Sequence, residues 1–328
     1  MTMAPGRREV LGGLAAAFVG GGTARAAGAP LTLLTNWCAQ AEHGGFYQAQ
    51  ASGLYAKAGL NVNLRMGGPQ VNAMQLLLAG QCDLALLQPE EAIRAGMRGL
   101  PAVAVATTFQ KGLAGIMTHP DIHDPGQLRG HPIFISAEGR SSFWPWLKAR
   151  YGFTDDQAHP YTFNLQPFMF NPQAAMQAFV SSETYAARKQ NVPFNFYLLS
   201  DLGYPTYGNV LLASRSALQT RKDEIAAFLA ASSEGWLQYI YGNGQDGDRA
   251  ILAANAHMTS DQLAFSRATL KRIAALGTNG ASILSMTDAH WMDIHKTLLQ
   301  SGLITDDPRW RDGYTLSFNG ALTARVPS

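Results

Sequence analysis

Three groups of side chains in this chain combine types and spacings suited to holding a small polar or aromatic solute. The first follows a short apolar run, Leu31-Thr32-Leu33-Leu34-Thr35, and contains Trp37, His43, Gly44, Gly45 and Tyr47. A tryptophan there offers a flat apolar wall with one indole N–H as a polar handle. His43 at a helix start can donate or accept and stays mostly neutral near pH 7. Gly44 and Gly45 would let a ligand approach the unpaired N–H groups of the helix N-terminus, and Tyr47 lies on the same turn. The competing assignments are a core tryptophan, a capping histidine and ordinary turn glycines. The second group is Ser136, Gly139, Arg140 and Ser141. Converging backbone N–H groups, hydroxyls and a fixed cation suit a carboxylate, sulfonate or phosphate; an N-cap beside an exposed arginine is the alternative. The third group is Asn164, Ser182, Glu183, Tyr204 and Tyr207, with Gln88, Glu90 and Phe109 as counterparts earlier in the chain. A carboxylate at Glu183 could accept from an aminopyrimidine or an ammonium, or instead pair with Arg188.

Other chemistries find no pattern. His119 and His123 have i, i+4 spacing, but an aspartate and a proline interrupt the helix that a metal pair would need. Neither a G-x-S-x-G elbow nor a Walker phosphate loop occurs, and no Asp, His and Ser are spaced as a triad. No cofactor is expected.

The elements that would position these groups alternate strand and helix. The stretch 31–64 reads as strand, polar-aromatic turn, helix and second strand, with Phe46, Ala49, Gly53 and Leu54 on one helical face and Gly59 as a left-handed stop. Further strands are expected at 82–87, 101–106, 115–118, 131–135, 194–199 and 209–213, and helices at 71–79, 92–98, 143–147 and 172–179. The chain after Arg215 reads as helical. Such alternation predicts mainly parallel sheets flanked by helices, and open α/β sheets place ligands outside the carboxyl ends of their strands.

With 328 residues the chain is long enough for two domains, and 47% hydrophobic against 15% charged residues indicates a substantial core. A formal net charge of +2 gives no case for nucleic-acid or membrane binding. The start, Arg7-Arg8-Glu9-Val10-Leu11 followed by a Gly/Ala-rich apolar run and Ala24-Arg25-Ala26, predicts a cleaved export signal over 1–26, of the twin-arginine type. Cys38 follows the first strand and Cys82 precedes a neighbouring one. Parallel pairing would hold them roughly 17 Å apart at about 3.3 Å per residue, too far for a disulfide, so two free thiols are expected.

In this order the chain resembles periplasmic solute-binding proteins of ABC importers, in the branch that binds nitrate, sulfonates and thiamine-pyrimidine precursors. The residues that carry the resemblance are Leu33-Leu34-Thr35-Asn36-Trp37, His43 six residues after the tryptophan, and Gly53-Leu54-Tyr55-Ala56-Lys57-Ala58-Gly59-Leu60. Ala79-Gly80-Gln81-Cys82-Asp83-Leu84-Ala85 and Ser301-Gly302-Leu303 add to it. The resemblance implies a two-lobed type II fold, each lobe a mainly parallel sheet flanked by helices. Lobe 1 would take 30–116 plus 213–328, lobe 2 would take 117–207, and hinges would lie near 115–118 and 208–212. It also implies a periplasmic monomer that encloses a small heteroaromatic, thiamine-pyrimidine-like solute and passes it to an inner-membrane permease. A receptor for a sulfonate or carboxylate anion is the first rival, and Arg140→Ala would separate the two. The second rival is an enzyme, because the fungal thiamine-pyrimidine synthase shares this pattern. Its pyridoxal-phosphate lysine falls where this chain has Leu87, its active histidine aligns with Glu91, and its cysteine cluster falls in 204–210, which holds no cysteine. Without the lysine amine no Schiff base forms, so the reading is binding rather than catalysis.

Overall fold

The computed structural model describes residues 29–68, 70–162 and 164–327. The export signal expected over 1–26 lies outside the described residues. Among the described residues ten strands form two five-stranded sheets. The first holds β1 (Leu31–Leu34), β2 (Val62–Arg65), β3 (Leu84–Leu87), β4 (Ala102–Thr107) and β10 (Val210–Ser214), in the order β2-β1-β3-β10-β4. The second holds β5 (Ala114–Thr118), β6 (Ile133–Ile135), β7 (Ala158–Pro160), β8 (Ala175–Phe179) and β9 (Asn195–Leu198), in the order β7-β6-β8-β5-β9.

Each sheet has one reversed strand, and the reason is connectivity. β1 is parallel to β2 and β3, whereas β10 is antiparallel to β3 and β4. In the second sheet β6 is parallel to β7 and β8, whereas β5 is antiparallel to β8 and β9. The reversed strands β5 and β10 are the two that arrive from the other sheet. A strand crossing over begins at the edge where the receiving strands end, so it must run against them. Val210, the first residue of β10, accordingly lies opposite Leu87 and Thr107, the last residues of β3 and β4. Ala114, the first of β5, lies opposite Phe179, the last of β8. The carboxyl ends of both sheets therefore face the two crossovers.

One expected element is of the wrong type. The stretch 172–179 reads as a helix because Ala, Met and Gln favour that state, yet β8 occupies Ala175–Phe179. Its Ala175, Met176 and Ala178 are fully buried between β6 and β5. A strand buried on both faces needs no alternation, so the periodicity signal is missing. The helix after β1 is also shorter than expected. It spans Gly44–Ala51, and Gly53, at φ 73°, breaks it before a second turn at Leu54–Lys57. That φ is readily adopted only by glycine.

The Gly44–Ala51 helix packs on the long helix Lys222–Tyr241, with the Phe46 ring edge-on to Trp236 at 5.7 Å and stacked with Phe228 at 6.1 Å. Cys38 and Cys82 are free thiols. Among the described residues no helix is long and apolar enough to cross a membrane.

Candidate functional site

A cavity of about 290 Å³ lies where the carboxyl ends of the two sheets meet. The first sheet contributes Asn36 and Trp37 after β1, Gln88 and Glu90 after β3, and Phe109 after β4. From the second come Glu138, Gly139 and Ser142 after β6, and Phe179, Ser182 and Glu183 at the end of β8. The crossovers close it with Gly112, Leu113 and Ala114 on one side and Tyr204 through Asn209, without Pro205, on the other.

Its first-sheet wall carries a chain of amides. The Gln88 side-chain nitrogen donates to Glu138 Oε1 at 2.7 Å and to Asn209 Oδ1 at 3.2 Å. Asn209 Nδ2 donates to Asn36 Oδ1 at 3.2 Å, and the same oxygen lies 3.1 Å from His43 Nε2. His43 is fully buried, and burial pulls its pKa down to about 4, so the imidazole is neutral and its Nε2–H donates to Asn36. The histidine thus sets the amide of a cavity residue instead of meeting a solute itself.

Among the described residues four glutamates line the cavity, Glu42, Glu90, Glu138 and Glu183, and no lysine, arginine or histidine does. Two are committed to the protein. Glu183 accepts from the Tyr161 hydroxyl at 3.0 Å and from the Phe179 N–H at 2.7 Å. Glu42 is buried and accepts from the Ser181 hydroxyl; burial raises its pKa. Glu90 Oε1 accepts from the Tyr204 hydroxyl at 2.8 Å, but its buried Oε2 has no hydrogen-bond partner. Glu138 fronts the cavity and keeps accessible surface. The protein packed around it, and then the charges of Glu90 and Glu91, nevertheless push its pKa up. Glu91, just behind, is likewise raised by burial and accepts from the Gln88 N–H at 3.1 Å.

Among the described aromatic residues on the cavity, only Trp37 and Phe179 keep partial exposure. Phe109 is buried edge-on against Trp236 at 5.1 Å. Tyr207 lines the cavity, but its ring stacks on His290 at 4.0 Å and its hydroxyl accepts from the Thr287 N–H at 2.8 Å. Tyr204 is buried and held by Glu90.

Of the residues singled out from sequence, Trp37, Gln88, Glu90, Phe109, Gly139, Ser182, Glu183, Tyr204 and Tyr207 lie on this cavity. The others do not line it, each for a physical reason. His43 is one layer behind Asn36. Gly44 and Gly45 face the long helix: a Cβ on Gly44 would sit 1.9 Å from Tyr239 Cε1, and one on Gly45 2.2 Å from Trp236 Cδ2. These glycines serve helix packing, not ligand approach. Tyr47 is buried in the same core. The stretch after β6 forms a short helix, Ala137–Ser141, capped by Ser136, whose hydroxyl accepts from the Gly139 N–H at 3.0 Å and donates to Gln177 at 2.9 Å. That turn carries Arg140 away, where its guanidinium donates to the Ala158 carbonyl, and Ser141 donates to the Glu138 carbonyl at 3.0 Å. Asn164 accepts from the Gln166 N–H at 2.9 Å. Sequence reasoning missed Asn36, Glu42, Glu138, Phe143, Gln177, Phe179 and Asn209. Asn36 lies two residues past the end of β1 and Asn209 immediately precedes β10, positions that could have marked them. Gln177 and Phe179 were hidden by the helical reading of β8.

Residues 40–245 match the NMT1/THI5-like family. The chain belongs to that family. A curated relative, the formylaminopyrimidine-binding protein of Halalkalibacterium halodurans, is 25% identical over 214 residues, which are 62% of this chain and 64% of the relative. The chain thus spans a little under two thirds of that relative's length. Among solved structures, the periplasmic aliphatic sulphonate binding protein SsuA of Escherichia coli is similar with a TM-score of 0.64 at 13% identity, over 92% of this chain and 94% of SsuA. The desulfurization enzyme DSZB is similar with a TM-score of 0.56 at 13% identity, over 89% and 98%. At such identities the likeness establishes the fold, the two-lobed fold of periplasmic binding proteins. It does not choose between receptor and enzyme.

Proposed function

We propose that this chain is an exported solute receptor that encloses a small, polar, partly aromatic molecule between two lobes and hands it to an ABC permease in the inner membrane, acting as a periplasmic monomer. The observation that carries this reading is the cavity itself. It sits at the carboxyl ends of both sheets, with partly exposed Trp37 and Phe179 for a ring and Asn36, Gln88 and Asn209 for its polar edge. A volume near 290 Å³ lies at the small end of ligand sites, about 300–1,000 Å³, and suits a single substituted ring. The pyrimidine-binding relative agrees with a pyrimidine-like solute. Lobe 1, in this reading, is the first sheet with the helices after β10, and lobe 2 is the second sheet. The hinges are the crossovers 108–113 and 199–209, since Ala114–Thr118 already pairs in the second sheet. Function is then a difference in affinity between open and closed states, and no bond is made or broken.

The anion reading loses its main support, because Arg140 lies off the cavity and no lysine, arginine or histidine is among the described residues that line it. A thermal-shift panel of pyrimidines, aliphatic and aromatic sulfonates and aromatic acids tests the proposal. Stabilisation by a pyrimidine, lost in Trp37→Ala, is the expected result. Stabilisation by sulfonates alone would overturn the pyrimidine assignment.

A further inference from the structure

We propose that the solute is cationic, presenting a protonated nitrogen group, an ammonium or an amidinium, to Glu90 and Glu138. This rests on the receptor reading above and specifies the chemistry of its ligand. Two observations carry it. The first is the one-sided charge of the lining, four carboxylates without a cation. Arg94, whose guanidinium donates to the Ser141 carbonyl at 3.1 Å, does not line the cavity. The second is independent of charge counting. Glu90 is 4% exposed, one of its oxygens is held by Tyr204, and the other has no donor. A carboxyl oxygen left buried with no hydrogen-bond partner is costly unless something supplies the missing bond. The cavity that Glu90 lines is the place from which a donor can come.

Glu138 faces the same space from the second sheet and is held by a single donor, Gln88, which leaves acceptor capacity on it. Carboxylates that face one space from opposite walls repel each other when no counter-charge lies between them. A protonated nitrogen between them turns that repulsion into attraction, and it bridges the two sheets as it does so. Closure would then be driven by the ligand's charge as well as by its ring. Burial and the neighbouring carboxylates both raise the pKa of Glu138, as expected of a site that lacks its counter-charge. An anion entering the same space would meet four glutamate side chains and, among the described lining residues, no cation.

The experiment uses the purified full chain, unfolded and refolded to remove bound solute, with three probes of similar shape: benzamidine, which is cationic, benzamide, which is neutral, and benzoate. Titration calorimetry at low and at high salt is expected to rank benzamidine at least tenfold above benzamide, with affinity falling as salt rises and no binding of benzoate. Glu90→Gln and Glu138→Gln should each weaken benzamidine at least tenfold and leave benzamide within about threefold. Glu138 keeps accessible surface, so its variant should fold even if the Glu90 variant does not. Benzoate binding as well as benzamidine, or both glutamine variants retaining benzamidine affinity, overturns the cation while leaving a receptor. Failure of all three probes to bind the wild type would instead overturn the receptor assignment of this cavity.

Discussion

Replacing His43 by Gln should change how stability depends on pH. His43 is fully buried, its Nε2 lies 3.1 Å from Asn36 Oδ1, and burial lowers its pKa from 6.5 to about 4. Between these values the unfolded chain takes up a proton that the folded chain refuses. Stability from this group is therefore fully present above pH 6.5 and is lost as pH falls toward about 4. At 1.36 kcal/mol per pH unit, that interval corresponds to roughly 3 kcal/mol. Glu42, Glu91 and Glu138 act in the opposite sense. Their raised pKa values mean that the folded chain holds protons which the unfolded chain releases, so their share of stability is lost as pH rises above 4.5. The wild-type profile mixes both, and only the difference between wild type and variant isolates the histidine. Urea unfolding at pH 7, 6, 5 and 4 should show the wild type losing about 3 kcal/mol relative to His43→Gln between the first and last points. Parallel profiles would refute the buried neutral imidazole.

Three further outcomes follow from the same geometry. Gly45→Ala puts a methyl group into the Trp236 ring and should cost about 1–3 kcal/mol through overpacking, read as a lower Tm with secondary structure retained. Trp37→Ala should weaken binding of the solute by about 1–3 kcal/mol, the range for a stacked ring, measured by calorimetry. The Tyr185 hydroxyl and the Lys189 ammonium, the latter at 2.6 Å, both bond Asp261, which joins the helix Glu183–Lys189, after β8 of the second sheet, to the helix Ser260–Arg272, after β10 of the first. Asp261→Asn should favour the open form, seen as a larger radius of gyration by X-ray scattering without solute; an unchanged radius would remove this contact from the closure.

The sheets were legible where strands are short apolar runs bounded by glycine or proline. β1, β3 and β4 sit within a residue or two of their expected places. β8 was not, because Ala-Met-Gln-Ala carries helical propensity, and only its place between β5 and β6 makes it a strand. That one error hid Gln177 and Phe179 from the candidate site. Trp37 and Glu90 were accessible because each lies three residues past a strand end. Gly44, Gly45 and His43 misled for the opposite reason. They stand in the right turn, but the two glycines face the helix Lys222–Tyr241, almost two hundred residues later, a contact no local pattern reports, and His43 is buried behind Asn36. Arg140 likewise follows β6, yet one turn of helix is enough to point it at Ala158 rather than inward.

The most direct measurement is mass spectrometry of the small molecules released when the protein, purified without refolding from its native source, is denatured. The account predicts a stoichiometric nitrogen heteroaromatic bearing a basic group, absent from Trp37→Ala prepared in the same way. A sulfonate or carboxylate released in equal amount from both would contradict it.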